Sequence, residues 1–196
     1  MSGGLLFLFV CVVLPLAWGI AVYNRFVRLR NRCQNAFSQI DVQLRRRHDL
    51  IPNLVAATRG YLDHEQRTLG AVVAARRQVD EASARLRAQP RDGAALAHFE
   101  QAEAALHGPL SRLLALVEAY PALQADETVR RLTEELTTTE NRIAFARQAY
   151  NDQAAHYNTG IESFPASLIA GALGFSRTRL LRPLAPGQRR AVAVAL

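Results

Sequence analysis

The stretch VRRLTEELTTTENRIAFARQAYNDQAAHYNTGI, residues 129–161, decides the fold of this chain. Apolar and small side chains return in it at steps of three and four, a spacing near 3.5 that is typical of a helix packed along a coiled-coil seam. Asp126 and Glu127 come just before it, where acidic side chains stabilise a helix N-terminus. We expect this to be the longest regular helix in the chain. Its seam consists of Val129, Leu132, Leu136, Ile143, Tyr150, Ala154, Tyr157 and Ile161.

Three further segments have the same helical period, and breaker residues separate them. One runs from Phe26 to Leu44, one from Leu54 to Leu86, and one from about Ala94 to Tyr120 with a kink expected at Gly108-Pro109. A loop is predicted over residues 88–93, AQPRDG. At Pro52 two readings remain open, a new helix that starts near Asp49 and a kink in one long helix. The predicted class is all-α, with an N-terminal transmembrane helix followed by an antiparallel bundle of three to four long helices.

The N-terminal segment has the composition of a membrane span. Leu5 to Val22 reads LLFLFVCVVLPLAWGIAV, an uncharged run of 18 residues that is just long enough to cross a bilayer. Trp18 and Tyr23 stand near its end, where aromatic rings favour the headgroup region. A cleaved signal peptide is the rival interpretation, but the basic residues that normally precede its apolar core are absent. We therefore expect a single-pass anchor.

Four arginines follow the apolar run directly. By the positive-inside rule they place the N-terminus outside and the rest of the chain in the cytoplasm, at a bacterial inner membrane. They also lie close enough to the bilayer to contact anionic lipid headgroups. These candidate headgroup contacts are Arg25, Arg28, Arg30 and Arg32.

The formal net charge of +7 is distributed unevenly. Residues 24–60 carry +6, residues 61–175 carry −4, and residues 176–196 carry +5 without an acidic residue. A pI near 10.4 alone suggests nucleic-acid binding, but the acidic middle of the chain argues against it. The predicted domains are a membrane anchor over 1–24, a cytoplasmic helical bundle over 25–175, and a basic, disordered tail over 176–196.

No arrangement of residues indicates catalysis. The stretch His64-Glu65-Gln66-Arg67-Thr68 resembles the start of a zinc-protease helix, but Thr68 stands where the second histidine ligand is required. The chain also lacks a nucleophile elbow, a phosphate-binding loop and a dinucleotide fingerprint. We therefore predict no catalytic, metal-binding or cofactor-binding residue and no cofactor.

Two polar features suggest recognition. The cluster Arg45, Arg46, Arg47 and His48 would lie roughly 35 Å beyond Tyr23 in a straight helix. Lipid is out of reach at that distance, which leaves a solvated face, an acidic patch of the bundle, or a partner protein. The second feature is a row of polar and aromatic residues on the long helix, which forms either buried hydrogen bonds or a binding edge. It consists of Glu140, Asn141, Arg142, Tyr150, Asn151, Asp152, Tyr157 and Asn158.

The segment ASLIAGALGF, residues 166–175, is apolar but too short to span a bilayer. Two placements are open: it caps the end of the bundle, or it lies on the membrane or on a partner.

Six sequence motifs stand out between Tyr23 and Phe175: NRCQNAFSQIDVQLRRRHDLIPNLV (31–55), GYLDHEQRTL (60–69), LLALVEAYPAL (113–123), LTEELTTTENRIAFARQAYND (132–152), YNTGIESFP (157–165) and ALGF (172–175). They are very similar to motifs of the LemA family and occur in the family's order. The resemblance implies an N-terminal membrane anchor and an antiparallel helical bundle, in a family without an established reaction. Phe37 stands where the family usually has tryptophan, and the arginine-rich end after Phe175 does not resemble the family's usual terminus.

These observations predict a membrane-anchored, non-enzymatic scaffold or interaction module that contacts lipid and other proteins and that can also form oligomers. The alternatives from other classes are a nucleic-acid-binding helical protein, which rests on the basic pI alone, and a hydrolase with an unrecognised site.

Overall fold

The computed structural model describes residues 2–89 and 92–181, and every regular element in those residues is a helix. The predicted all-α class, with a long apolar N-terminal helix and a helical bundle, is confirmed. The α-helices are α1 (Ser2–Thr58), α2 (Gln66–Ala88), α3 (Gly93–Ala119), α4 (Pro121–Ala125), α5 (Glu127–Glu162) and α6 (Ala166–Ala172), and a short 3-10 helix covers Asp63–Glu65.

Helix α1 continues through Pro52, so no new helix starts at Asp49. A proline inside a helix has no N–H group and therefore leaves the carbonyl four residues earlier without its helical donor. That carbonyl belongs to His48, and the Nε of Arg76 in α2 donates to it at 3.0 Å. A side chain from the neighbouring helix thus replaces the hydrogen bond that Pro52 removes.

The helical period that begins again at Leu54 does not belong to one helix. Helix α1 ends at Thr58, and the backbone N–H groups of Tyr61 and Leu62 both donate to the Thr58 carbonyl at 3.1 Å. The chain turns at Gly60 and passes through the 3-10 helix before α2 begins. Leu62 remains fully buried, which explains why the apolar pattern continues across this break.

The other predicted boundaries agree with the structure. The loop at residues 88–93 separates α2 from α3, and the Asp92 side chain caps α3 by accepting from the Ala94 N–H at 2.8 Å. Pro109 lies inside α3, which is one helix up to Ala119. The Asp126 carboxylate caps α5 by accepting from the N–H groups of Thr128 and Val129, at 2.8 and 3.1 Å.

The described residues form two compact units, to both of which α1 and α5 contribute. The first unit contains residues 2–41 and 144–181, and in it α1 and α5 run antiparallel, since Leu29 faces Gly160 and Phe37 packs edge-to-face on Tyr150. Its buried side chains include Phe26, Cys33, Ile40, Ala154, Tyr157 and Ile161.

The second unit contains the rest of α1 and α5 together with α2, α3 and α4, within residues 42–143. Its apolar core is built from the inward stripes of these helices, as their spacing of three and four residues requires. The fully buried members are Ile51, Leu54, Leu62, Val72, Val79, Leu106, Leu113, Leu123, Val129 and Leu136.

Candidate membrane and interaction sites

The apolar part of α1 leaves its large side chains exposed over the residues from Phe9 to Ile20. Phe7, Phe9 and Leu16 are each more than 60% exposed. In the part of the chain that the structure describes, α1 alone is long and apolar enough to cross a membrane. Apolar surface of this extent is unfavourable in water and favourable in a bilayer. The exposed apolar helix therefore indicates membrane association.

All four candidate headgroup arginines are exposed on α1. Arg25 and Arg32 line a cleft of about 220 Å³ together with Leu29, Gln153 and His156. The Arg30 guanidinium lies 5.7 Å from the centre of the Phe175 ring, within cation–π range. Three of the four, Arg25, Arg28 and Arg30, follow Tyr23 within about two helical turns. The geometry permits headgroup contact, which remains a prediction.

The cluster from Arg45 to His48 is divided by the turn of the helix. Arg45 and Arg46 are exposed, and Arg46 forms an ion pair of 2.6 Å with Glu135 of α5. Arg47 and His48 are buried, with 5% and 8% of their surface exposed. These two residues therefore do not lie on an exposed interaction surface. They fit the alternative of an acidic patch of the bundle, because they point into the second unit, where Asp80, Glu103 and Glu140 surround them.

Arg47 is held by two carboxylates from two different helices. Its guanidinium donates to Glu103 of α3 through Nη2 and to Glu140 of α5 through Nη1, the latter at 3.2 Å. The side chains of Arg47 and Glu103 are 6% and 10% exposed, whereas that of Glu140 is 33% exposed. A planar guanidinium with several donors suits such a double contact better than an ammonium group does. Arg47 therefore connects α1, α3 and α5.

His48 extends the same network toward α2. Its Nδ1 lies 3.0 Å from Asp80 Oδ1, and its Nε2 lies 3.8 Å from Glu103 Oε1. Asp80 also forms an ion pair of 3.3 Å with Arg76, the residue that satisfies the carbonyl opposite Pro52. We call Arg47, His48, Arg76, Asp80, Glu103 and Glu140 the buried charge network.

Burial and pairing act in opposite directions on the two most buried charges. Desolvation alone would lower the pKa of Arg47, but Glu103 and Glu140 outweigh it, so the pKa is raised. Desolvation alone would raise the pKa of Glu103, but the charge of Arg47, the hydrogen bond that Arg47 donates and the nearby His48 outweigh it, so the pKa is lowered. Both groups are therefore held in their charged forms.

The network joins four helices, α1, α2, α3 and α5, through ion pairs. Within residues 2–89 and 92–181, no group of three or more His, Cys, Asp or Glu side chains has the arrangement of a metal site. His64 and Glu65 lie in the 3-10 helix that precedes α2, so they do not share an α-helix with Thr68 as a zinc-protease motif would require.

Four members of the polar row on α5 bind the start of the C-terminal tail: Tyr150, Asn151, Tyr157 and Asn158. Asn158 accepts from the Thr178 N–H and donates to the Thr178 carbonyl, both at 2.8 Å. Asn151 makes the same pair of bonds with Leu181, at 2.9 and 3.1 Å. The hydroxyls of Tyr150 and Tyr157 donate to the carbonyls of Arg179 and Ser176.

The spacing of the two asparagines explains why this arrangement repeats. Seven residues of helix rise about 10.5 Å, and three residues of extended chain cover about 10 Å, so Asn151 and Asn158 meet residues 181 and 178 in register. Leu181 is buried, with 3% of its surface exposed. The prediction of a disordered tail is thus wrong for residues 176–181, while the remainder of that tail lies outside the described residues.

Helix α6 packs against α1 in the first unit. Ala170 is buried, and Ile169 Cδ1 lies 3.9 Å from the position that a Cβ on Gly19 would occupy. The Phe175 ring packs edge-to-face on Tyr23 and Phe26, with centroids 5.8 and 5.2 Å apart. The segment 166–175 therefore lies beside the last turns of the apolar run.

Known proteins resemble this chain in sequence. The LemA family model matches residues 36–195, which includes the stretch after Phe175 that the motifs left unassigned. Magnetosome protein MamQ 2 of Paramagnetospirillum magneticum is 31% identical over 170 residues, covering 79% of this chain and 62% of the relative. Magnetosome protein MamQ of Magnetospirillum gryphiswaldense is 30% identical with the same coverage, so the chain spans about three fifths of the length of these relatives. The chain belongs to the LemA family.

Proposed function

We propose that this protein is a non-enzymatic scaffold at the bacterial inner membrane, anchored by the beginning of α1 and presenting its helical units in the cytoplasm to partner proteins. One observation carries the proposal. The large apolar residues from Phe9 to Ile20 are exposed, yet they belong to the same helix whose later residues, such as Ile51 and Leu54, are fully buried. A bilayer around the first part of α1 accounts for this change along one helix.

The charges of the second unit support a structural rather than a catalytic role. A catalytic acid or base needs access to a substrate, whereas Arg47 and Glu103 are buried and bind each other. A cleft of about 730 Å³ in this unit is lined by residues such as Val55, Leu69 and Arg77 and includes none of the buried charge network. The names of the two MamQ relatives state no reaction either.

Membrane fractionation and protease protection test the anchor and its orientation. The full chain with a C-terminal tag should stay in the membrane after alkaline extraction, and protease added to spheroplasts should leave the tag intact until lysis. Replacing Arg25, Arg28, Arg30 and Arg32 together by Gln should make the orientation mixed, because these residues carry the positive charge next to the span. A soluble chain, or a tag digested from outside in the wild type, would contradict the proposal.

Arg45 and Arg46 are the members of the arginine cluster that remain exposed, and we assign them to the edge that meets an acidic partner or a second copy. The matched variants are Arg45→Glu with Arg46→Glu and, on an exposed part of α5, Arg142→Glu. In photo-crosslinking from solubilised membranes, the double variant should lose the crosslinked species that wild type and Arg142→Glu both form. Retention of every species in the double variant would remove this edge from the proposal.

A further inference from the structure

Helix α6 and its flanks carry large apolar side chains that no other described residue covers. Phe164 is 81% exposed, Leu168 is 68% exposed and Leu173 is 52% exposed. The opposite side of the same short helix is already used, since Ala170 is buried against the first unit. Fully burying one such side chain is favourable by about 1.5–3 kcal/mol, so three exposed together require an apolar environment.

The position of this surface identifies the environment. Ile169 lies against Gly19, and Phe175 lies against Tyr23 and Phe26. Gly19 belongs to the last turn of the apolar run that ends at Val22, about 4.5 Å from its end along the helix. Helix α6 is therefore at the depth where hydrocarbon meets headgroups, provided that α1 spans the bilayer as proposed above.

The charges around this surface fit the same boundary. The fourteen residues from Ser163 to Ser176, SFPASLIAGALGFS, contain no ionisable side chain. The charged residues that flank them, Glu162 and Arg177, form an ion pair of 2.6 Å at the surface of the first unit. The arrangement is that of an interfacial segment, with exposed apolar side chains between charges at its two ends.

We propose that residues 164–173 insert into the membrane interface beside α1 and form a second lipid contact of this protein. A partner protein would have to occupy the space around α1 that the bilayer fills, which favours lipid as the occupant of this surface. The inference rests on the proposed membrane anchor, and its test must separate a failure of the insertion from a failure of the anchor. Arg28 and Arg30 on the neighbouring part of α1 supply the positive charge that anionic headgroups would meet.

The single tryptophan of the chain makes such a test possible. Trp18 lies in the apolar run, and its quenching by brominated phosphatidylcholine in vesicles reports the anchor itself. The insertion is then probed by Leu168→Trp in the Trp18→Phe background, with Phe164→Trp as a second probe. Phe145→Trp in the same background is the matched control. Phe145 is 77% exposed but lies about 30 Å beyond Val22 along the helices of the first unit.

The indoles introduced at residues 168 and 164 should lose a fraction of their emission comparable with Trp18 and should emit at shorter wavelength than the indole at residue 145. If Trp18 is quenched while both α6 probes behave like the control, the anchor stands and the insertion is wrong. If Trp18 in the wild-type chain is not quenched, the anchor fails and the insertion fails with it.

Discussion

The second unit buries charged side chains, whereas the first unit exposes large apolar ones. Globular proteins usually bury apolar side chains and expose charged ones, so each unit departs from this pattern in a different way. In the second unit, Arg47 and Glu103 lie among leucines with little exposed surface. In the first unit, Phe9 and Leu168 are more than 60% exposed. The comparison shows that a side chain's burial depends on where its partner is, and not on its polarity alone.

The partners in the two cases have different origins. Carboxylates on neighbouring helices neutralise the buried arginine, so its partner is intramolecular. The exposed phenylalanines and leucines have no such partner in the described part of the first unit. We propose that lipid surrounds them instead. Breaking the intramolecular partnership should therefore damage the fold, whereas changing the apolar surface should damage membrane contact.

The largest loss of unfolding free energy is expected from Arg47→Ala. This substitution leaves the Glu103 carboxylate buried without its cation, and breaking a buried ion pair in this way costs about 3–5 kcal/mol. Unfolding of the full chain in detergent, followed by circular dichroism, measures the loss.

The control is the residue next to it. Arg46 also forms an ion pair, with Glu135, but the two side chains are 59% and 39% exposed, so Arg46→Ala should cost about 0–1 kcal/mol. Equal losses of unfolding free energy in the two variants would show that burial adds nothing to the Arg47 ion pair. The role given to buried charge in the second unit would then be wrong.

Much of the fold was accessible from the sequence, because the apolar period fixed the class and the loop at residues 88–93. The break at Gly60 was missed because Leu62 keeps the apolar period through a turn. Periodicity reports which side faces the core, but it does not report whether the backbone between two inward residues remains helical.

The buried charge network was missed for a different reason. Arg47 lies on the inward stripe of α1, three residues after Leu44 and four before Ile51. The sequence nevertheless left three alternatives open for the cluster: a solvated face, an acidic patch of the bundle and a partner protein. The helical spacing indicated that Arg47 is buried. The spacing did not identify its ion-pair partners, because Glu103 and Glu140 lie more than fifty residues away and only the packing of α3 and α5 brings them close.

A smaller loss of folding stability is expected when low pH protonates Glu103. The pKa of Glu103 is lower in the folded chain than its ordinary value, so the unfolded chain binds the proton first as the pH falls. The contribution of Glu103 to stability is therefore present above about pH 4.3, the ordinary pKa of a glutamate, and is lost as the pH falls through the lower folded value. Unfolding measured from pH 7 to pH 3 gives this dependence.

Other carboxylates also titrate in this range, so the test requires Glu103→Gln, which removes this one titration and preserves the shape of the side chain. Wild type should be more stable than Glu103→Gln at pH 7, and the difference should narrow toward pH 3. A difference that stays constant over this range would contradict the charged, stabilising state assigned to Glu103.

The smallest and most local effect concerns the polar side of the first unit, where Asn158 holds the tail through both backbone groups of Thr178. Asn158→Ala removes two hydrogen bonds, each with a net contribution of about 0.5–1.5 kcal/mol, so the tail should open more often while the helices remain folded. Tryptic cleavage after Arg177 and Arg179 measures this opening, because a protease cuts only where the local backbone is released from its contacts.

An opening that is easier by about 1–2 kcal/mol corresponds to cleavage that is about 5–30-fold faster, measured by mass spectrometry of the fragments. Asn141→Ala is the matched control, because Asn141 is an exposed asparagine of the same helix in the second unit. Unchanged cleavage in Asn158→Ala would mean that the asparagines do not hold the tail. Faster cleavage together with unchanged thermal unfolding would show that the polar contacts of the first unit order one segment, whereas the buried charges of the second unit support its fold.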